Sequence, residues 1–239
     1  MLKPLSASLF LLGATPVLAG SPPSSPEGTA TPTVATAWRV EGTAGVVSDY
    51  RFRGYSLSGG EPAVQAGLTL THVSGFYVDV YSSSIEDYGV DSDGNGAEVE
   101  LTGSLGWRGQ ASGIDVEASV AAYRYPGGEA VDYVEIPVQA GRSFLAFTVT
   151  AGLAYAPAQR ALGDADNLYE WIAVDYAPGG WPVSLSGRVG RERGAFAEDG
   201  KWDWEAGLSK DLGVATMGLS WTDSDRTQGA WVASLFLSF

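Results

Sequence analysis

The chain ends in Trp231-Val232-Ala233-Ser234-Leu235-Phe236-Leu237-Ser238-Phe239, and this stretch predicts the fold. Successive side chains of a β-strand point to opposite faces. One face of this stretch is entirely apolar, with an aromatic residue at each end, Trp231 and Phe239. At the edge of a soluble sheet such a strand would promote aggregation. The pattern instead suits a strand whose apolar face meets lipid and whose aromatic residues lie at the two interfaces.

The rest of the chain from Trp38 repeats this pattern. About twelve segments of roughly ten residues alternate apolar and polar side chains. Longer connections lie near residues 54–61, 84–96, 157–167 and 193–201, and short ones near 72–75, 141–143 and 210–213. Long loops and tight turns in alternation are typical of membrane barrels. The sequence therefore predicts an all-β fold, an antiparallel transmembrane β-barrel of about 12 strands.

Two strands carry more specific expectations. The first is predicted to run from Trp38 to about Arg53, which places Tyr50 and Phe52 on its lipid-facing side.

The strand at 168–176 is ambiguous. Either Tyr169 and Trp171 or Ile172 and Val174 could face outward, because both pairs are apolar enough for a lipid-facing position.

The N-terminus predicts export. Lys3 precedes an apolar stretch from Leu5 to about Leu12, and small residues suited to cleavage follow, so we predict a signal peptide at 1–19. Residues 20–37 are rich in Pro, Ser and Thr without an apolar period, which predicts a disordered leader. The barrel is then expected at 38–239, in the cell outer membrane, because no later stretch approaches the roughly 18 continuous apolar residues of a membrane-spanning helix.

Composition excludes several classes of site and partner. The chain has 239 residues, no cysteine, one histidine (His72) and a formal net charge of -14 at pH 7. Without cysteine, disulfide frameworks and thiolate metal sites are excluded. Nucleic acid is an unsuitable partner for an acidic chain, because binding phosphates needs a basic surface. We expect no catalytic residue, no cofactor and no bound metal.

Four short motifs point to one bacterial family. They are Val47-Ser48-Asp49-Tyr50-Arg51-Phe52-Arg53-Gly54, Glu61-Pro62-Ala63-Val64-Gln65-Ala66-Gly67, Ser74-Gly75-Phe76-Tyr77 and Ser220-Trp221-Thr222-Asp223-Ser224-Asp225. They resemble the TorF-like porins, a proteobacterial outer-membrane family, over most of residues 44–239. The resemblance implies an outer-membrane β-barrel with a channel role, and it implies no catalytic residues.

Charged side chains recur on the face opposite the apolar one. These candidates for lining a pore are Arg39, Glu41, Asp49, Arg51, Arg53, Asp79, Glu98, Glu100, Asp115, Glu117, Glu135, Arg188, Asp203 and Glu205. Carboxylates around a water-filled lumen favour cations. We therefore predict a porin-like channel for passive diffusion of small polar or ionic solutes, with a preference for cations. The alternative is a narrow interior plugged by paired side chains, in a non-conducting receptor, adhesin or structural barrel.

Three other features each have two interpretations. Asp49, Arg51 and Arg53 could form a constriction or clamp for anionic solutes, or form salt bridges with acidic neighbours inside the barrel. The run 91–96 matches the first half of a calcium loop, but Thr102 replaces the bidentate Glu, which favours a solvated loop. His72 is expected to be a turn residue rather than the base of a hydrolase.

The expected partners are outer-membrane lipid, small solutes and the barrel-assembly machinery. The last would engage the C-terminal strand, because an ending in Phe239 resembles the assembly signal of bacterial outer-membrane barrels. The sequence leaves the oligomeric state open.

Overall fold

The computed structural model describes residues 9–11, 15–17 and 37–239. Twelve antiparallel strands form one closed barrel, in which sequence neighbours pair and the last strand pairs with the first. The strands are β1 (Trp38–Val47), β2 (Ala63–His72), β3 (Phe76–Tyr88), β4 (Ala97–Ala111), β5 (Ile114–Arg124), β6 (Tyr133–Phe144), β7 (Phe147–Ala156), β8 (Asn167–Tyr176), β9 (Ser184–Gly194), β10 (Ala197–Asp211), β11 (Ala215–Ser224) and β12 (Ala230–Ser238). The predicted antiparallel barrel is confirmed.

The N-terminal expectations lie almost wholly outside the described residues. Of the signal peptide at 1–19 and the leader at 20–37, only the strand pair Leu9–Leu11 with Thr15–Val17 and the final residue are described. The helical element of the described chain is a 3-10 turn, Arg160–Leu162. No helix in this part is long and apolar enough to cross a membrane.

The two ends of the barrel differ in their connections. One end, called the turn end, carries the connections 73–75, 112–113, 145–146, 177–183 and 212–214. The other, the loop end, carries 48–62, 89–96, 125–132, 157–166, 195–196 and 225–229. The long connection expected near 193–201 is wrong. β9 and β10 continue to pair as far as Gly194 and Ala197, across a register shift between Glu192 and Gly194, because the ladder joins backbone groups and does not require apolar side chains.

The outer face of the barrel is apolar between two rings of aromatic residues. Aliphatic side chains in its middle are about half exposed, as at Val80 (52%) and Val120 (50%). The aromatic residues are Trp38, Phe76, Trp107, Phe144, Phe147 and Phe239 towards the turn end, and Tyr155, Trp202, Trp204 and Trp231 towards the loop end. An apolar band flanked by aromatic girdles is the surface that a barrel presents to lipid.

The ambiguous strand, β8, has one clear orientation. Ile172 and Val174 are 46% and 40% exposed on the outer face, whereas Tyr169 and Trp171 are 0% and 8% exposed and face the interior. Glycines on both neighbouring strands leave room for the two inner rings.

A glycine also permits the barrel to close. Gly45 of β1 lies against Phe236 of β12, within the pairing that joins the two strands. A Cβ at Gly45 would lie 2.5 Å from the carbonyl oxygen of Leu235 and closer still to the Phe236 ring. The close approach of the closing strand therefore depends on the missing side chain.

Gly45→Ala should weaken closure. We expect a loss of about 1–3 kcal/mol in the free energy of unfolding, because the added methyl group can be accommodated only by moving the backbone of the closing strand. Gly103→Ala on β4 is the matched control, since a Cβ there meets nothing within 4 Å. Urea unfolding in lipid vesicles, followed by tryptophan fluorescence, measures both. Equal losses would contradict a special role for Gly45.

Candidate functional site: a hairpin inside the barrel

The predicted first strand is wrong beyond Val47. β1 ends there, and residues 48–62, called the inner hairpin, turn into the barrel instead of continuing along its wall. Tyr50 is 1% exposed and Phe52 packs against an interior aromatic cluster, so neither lies on the lipid-facing side. The neighbouring Arg53 favours this path, because its two carboxylate partners, Glu135 and Glu192, lie on the inner face of the wall.

The tip of the inner hairpin is a tight turn. Arg51–Phe52 pairs with Tyr55–Ser56, and the two residues between them, Arg53 and Gly54, have φ values of 50° and 87°. Two positive φ angles define the type I′ turn that matches the twist of paired strands. A Cβ on Gly54 would lie 2.8 Å from the Cβ of Ser224 on β11, so the tip reaches the barrel wall.

Arg53 at the tip binds two carboxylates of that wall. Its Nη2 donates to Glu135 on β6 at 2.7 Å and its Nη1 donates to Glu192 on β9 at 2.8 Å. The guanidinium lies between the rings of Phe52 and Tyr169, 4.6 and 4.3 Å from their centroids. Arg53 is only 2% exposed and Glu135 is fully buried. Burial by itself lowers the pKa of Arg53, but the two carboxylates raise it well above its ordinary value, so the group stays charged.

Lys201 on β10 completes this group, which we call the Arg53 cluster (Arg53, Glu135, Glu192 and Lys201). The Lys201 ammonium donates to the carbonyl oxygen of Arg53 at 2.6 Å and lies 2.7 Å from Glu192. Two cations thus face two carboxylates, and the cluster is close to neutral. It ties the hairpin to three strands that are distant from β1 in the ring.

A second attachment lies nearer the root of the hairpin. The hydroxyl groups of Tyr50 and Tyr125 each donate to Glu100 on β4 at 3.0 Å. Burial raises the pKa of Tyr50 well above its usual value, so the phenol keeps the proton that it donates. Asp49 pairs within the hairpin, accepting from Arg51 at 2.6 Å. These contacts hold the hairpin across the loop half of the interior.

The remaining candidates lie in the turn half, where the interior is more open. Small polar side chains there are partly exposed, namely Thr43, Thr69, Thr148, Ser186, Ser209, Ser220 and Ser234. The charged candidates in this half are Arg39, Glu41, Asp79, Asp115, Arg188 and Glu205, which are at least partly exposed, and Glu117, which is buried and accepts a hydrogen bond from the Tyr77 hydroxyl. Arg188 lies 3.9 Å from both Asp203 and Glu205, which is within ion-pair distance but too far for a hydrogen bond to either carboxylate. The interior is therefore accessible in the turn half and filled in the loop half.

Glu98 is not placed with the other candidates. It is exposed, while its neighbour Ala97 is fully buried in the interior aromatic cluster. The alternation is interrupted here because the pairing of β3 with β4 shifts register between Ser84 and Tyr88.

Sequence reasoning missed four inward charges. Arg108 directly follows the outward Trp107, so continuing the alternation of that strand would have found it. Asp175 lies within the predicted strand at 168–176, whose facing the sequence left open. Glu192 and Lys201 lie at or next to the stretch that was expected to be a loop. Charged and small residues occupy most of positions 190–201, so the apolar alternation that identified the other strands does not extend through them.

Two further residues named from the sequence, Asp91 and His72, lie in a loop and a turn. Asp91 accepts backbone N–H groups of Asp93 and Asn95 at 2.8 and 3.0 Å, and backbone hydrogen bonding lowers its pKa. That carboxylate therefore stabilises its own loop, and no group of three metal-ligating side chains occurs in residues 37–239. His72 lies at a turn, with its Nδ1 2.7 Å from the Ser74 hydroxyl.

Sequence comparison assigns the family. The family model described as a bacterial protein of unknown function (Gcw_chp) matches residues 30–236. The chain belongs to this family. The Gcw_chp match includes the inner hairpin and all twelve strands, β12 as far as Phe236. No curated protein matches the chain. The finer assignment to TorF-like porins stays a prediction.

Solved porin structures share the fold of this Gcw_chp member. The KdgM porin matches with a TM-score of 0.56 at 10% identity, over 84% of this chain and 98% of that one. The KdgM porin in complex with disordered oligogalacturonate gives 0.58 at 7% identity, with the same coverage. The COG4313 outer membrane channel from Pseudomonas putida F1 gives 0.50 at 11% identity, over 90% and 99%. These similarities show the fold, a porin-like barrel.

Proposed function

We propose that this protein is an outer-membrane channel for passive diffusion of small polar or ionic solutes. The observation that carries the proposal is the contrast between the two faces of the closed barrel. The outer face is apolar and ringed by aromatic residues, while the turn half of the interior is polar and partly exposed. A polar interior within a lipid-facing barrel is the arrangement of water-filled porins.

The charge of the interior favours cations. Twelve carboxylates face the interior or belong to the hairpin, namely Glu41, Asp49, Glu61, Asp79, Glu100, Asp115, Glu117, Glu135, Asp175, Glu192, Asp203 and Glu205. Six cationic side chains do so, namely Arg39, Arg51, Arg53, Arg108, Arg188 and Lys201. Rings of carboxylates lower the energy of a passing cation. We therefore propose small cations and neutral polar molecules as solutes, rather than an acidic oligosaccharide of the kind found in the KdgM complex.

The proposed setting follows from the same surface. Residues 1–19 act as a signal peptide and 20–37 as a leader, the outer face contacts outer-membrane lipid, and the loop end faces the cell exterior. The barrel-assembly machinery engages β12 and the terminal Phe239. We propose no enzymatic role, because His72 is the single histidine of the chain and its ring contacts Trp38 and Ser74 at a turn.

The second candidate is a non-conducting barrel. The inner hairpin favours it, because its contacts with β4, β6, β9 and β10 fill the loop half of the interior. In that case the exposed loops would carry the function. Ion current separates the two candidates.

Current through the refolded full chain in a planar bilayer, under a potassium chloride gradient, tests the proposal. We expect discrete steps and a reversal potential that favours potassium.

Asp175→Lys, which places a positive charge on the inner face of β8, should lower the permeability ratio of potassium to chloride roughly two- to fivefold. Glu98→Lys is the matched control, because that side chain is exposed. Absence of current from correctly folded protein, with and without the hairpin, would refute the channel.

A further inference from the structure

The inner hairpin fills the interior without being part of the barrel wall. β1 and β2 pair without interruption from Trp38 opposite His72 to Val47 opposite Ala63. The short strands of the hairpin pair only with each other. The ladder of the wall is therefore complete without residues 48–62. Moving them breaks backbone hydrogen bonds of Ser48 with Ala233 and of Leu57 with Glu86, but no pairing between two barrel strands.

The contacts that hold the hairpin are polar at its tip, and three of its side chains, Tyr50, Phe52 and Leu57, also pack against the apolar clusters of the interior. Its tip is bound by the ion pairs of the Arg53 cluster and by the Thr227 hydroxyl, which donates to the carbonyl oxygen of Gly54 at 2.9 Å. Its root is bound by the hydrogen bond from Tyr50 to Glu100. The polar contacts can be exchanged for contacts with water, whereas the packing of the three apolar side chains is lost on opening and favours the closed state.

Withdrawal of the whole hairpin differs from loss of one partner. A buried ion pair recovers little more than the cost of removing its two charges from water. When one partner is deleted, the other charge stays buried and unpaired. When the hairpin leaves as a unit, water enters and hydrates Glu135, Glu192 and Lys201 together with Arg53. Arg53 also leaves a φ of 50°, which is uncommon for a residue with a side chain.

We infer that the inner hairpin is a displaceable plug, and that the barrel conducts when the hairpin leaves the interior as one body, with the Arg53 cluster as the contact that must open. The inference rests on the proposed channel function and adds its regulation. The plug closes the loop half, and the turn half forms a permanently hydrated entrance. Solutes then pass only in the open state.

Two variants test the plug. In the first, residues 48–62 are replaced by Asn-Gly, a two-residue turn that suits paired strands meeting at Val47 and Ala63. In the second, Gly54→Cys and Ser224→Cys place two Cβ atoms 2.8 Å apart, about 1 Å closer than in a disulfide, so the tip must move outward by about that distance. The cysteine at position 54 must also accept a φ of 87°, at a cost of about 1–2 kcal/mol. The chain has no other cysteine, so an added oxidant cross-links only this pair.

The expected currents differ between variants in planar bilayers. The hairpin-less barrel should conduct steadily, and the unmodified chain should switch between silence and steps of about that size. The cross-linked variant should be silent, and a reductant should restore its steps. Heat-modifiable gel mobility confirms that each variant is folded.

Other outcomes separate the two proposals. Undiminished steps from the cross-linked variant would overturn the displaceable plug and leave the channel intact. A steady, smaller current from the unmodified chain would mean a fixed constriction and would also overturn the plug. Silence from the folded hairpin-less barrel would overturn the channel itself.

Discussion

Arg53→Ala should expose the inner hairpin to protease. Without the guanidinium, Glu135 and Glu192 would remain buried with Lys201 as their single nearby cation, and removal of one partner from a buried ion pair costs about 3–5 kcal/mol. The protein relieves this cost by releasing the hairpin, which lets water reach both carboxylates. Cleavage of an opened segment follows the population of its open form.

The measurement is limited digestion of the folded barrel by chymotrypsin. Cleavage after Tyr50, Phe52 or Tyr55 should accelerate by roughly a hundredfold, the factor that corresponds to about 3 kcal/mol. Arg124→Ala is the matched control, because Arg124 pairs with Asp132 at 3.0 Å on the exposed surface, where such a pair contributes little. An unchanged cleavage rate in Arg53→Ala would show that apolar packing, rather than the Arg53 cluster, retains the hairpin.

Ile172→Arg should strongly destabilise the barrel in lipid. Ile172 lies near the middle of β8 on the outer face and is 46% exposed. An arginine on the lipid face at the bilayer midplane costs about 2–4 kcal/mol, because the bilayer core cannot solvate its charge. Reversible urea unfolding in vesicles should show this loss of free energy.

The matched control places the same side chain inside. Thr148→Arg on the neighbouring strand β7 puts an arginine on the inner face, at a partly exposed position in the turn half. We expect a change within about 1 kcal/mol, because water and carboxylates there solvate the charge. If the two variants lost equal stability, the assignment of faces on β8 would be incorrect.

The barrel was predictable because its signal is local and repeated. A lipid-facing strand must bury every second side chain in hydrocarbon, so the alternation at 231–239 and at the other strands is imposed by the bilayer itself. The facing of β8 was not predictable, since Tyr169 and Trp171 are apolar enough for a lipid-facing position, as Ile172 and Val174 are. The glycines on the adjacent strands decided it, by leaving room for the two rings inside.

The site was only partly predictable. The inward position of Glu135 followed from alternation on its own strand. The pairing of Arg53 with Glu135 did not, because the two residues are 82 positions apart and meet only when the ring closes. The sequence between Asp49 and Arg53 alternates as a strand would, and alternation alone cannot distinguish a wall strand from a hairpin inside the wall.

The sequence by itself determined the class of fold, the number of strands, the lipid-facing surface and the acidic character of the interior. Each of these depends on the alternation of apolar and polar residues along a strand. Every strand needs that alternation by itself, because one of its faces meets hydrocarbon and the other meets the polar interior. Tertiary structure alone decided that residues 48–62 enter the barrel and that the Arg53 cluster holds them there. Those contacts join residues that are distant in sequence. They stabilise the inner hairpin only after closure of the ring has brought the charges together in a buried interior.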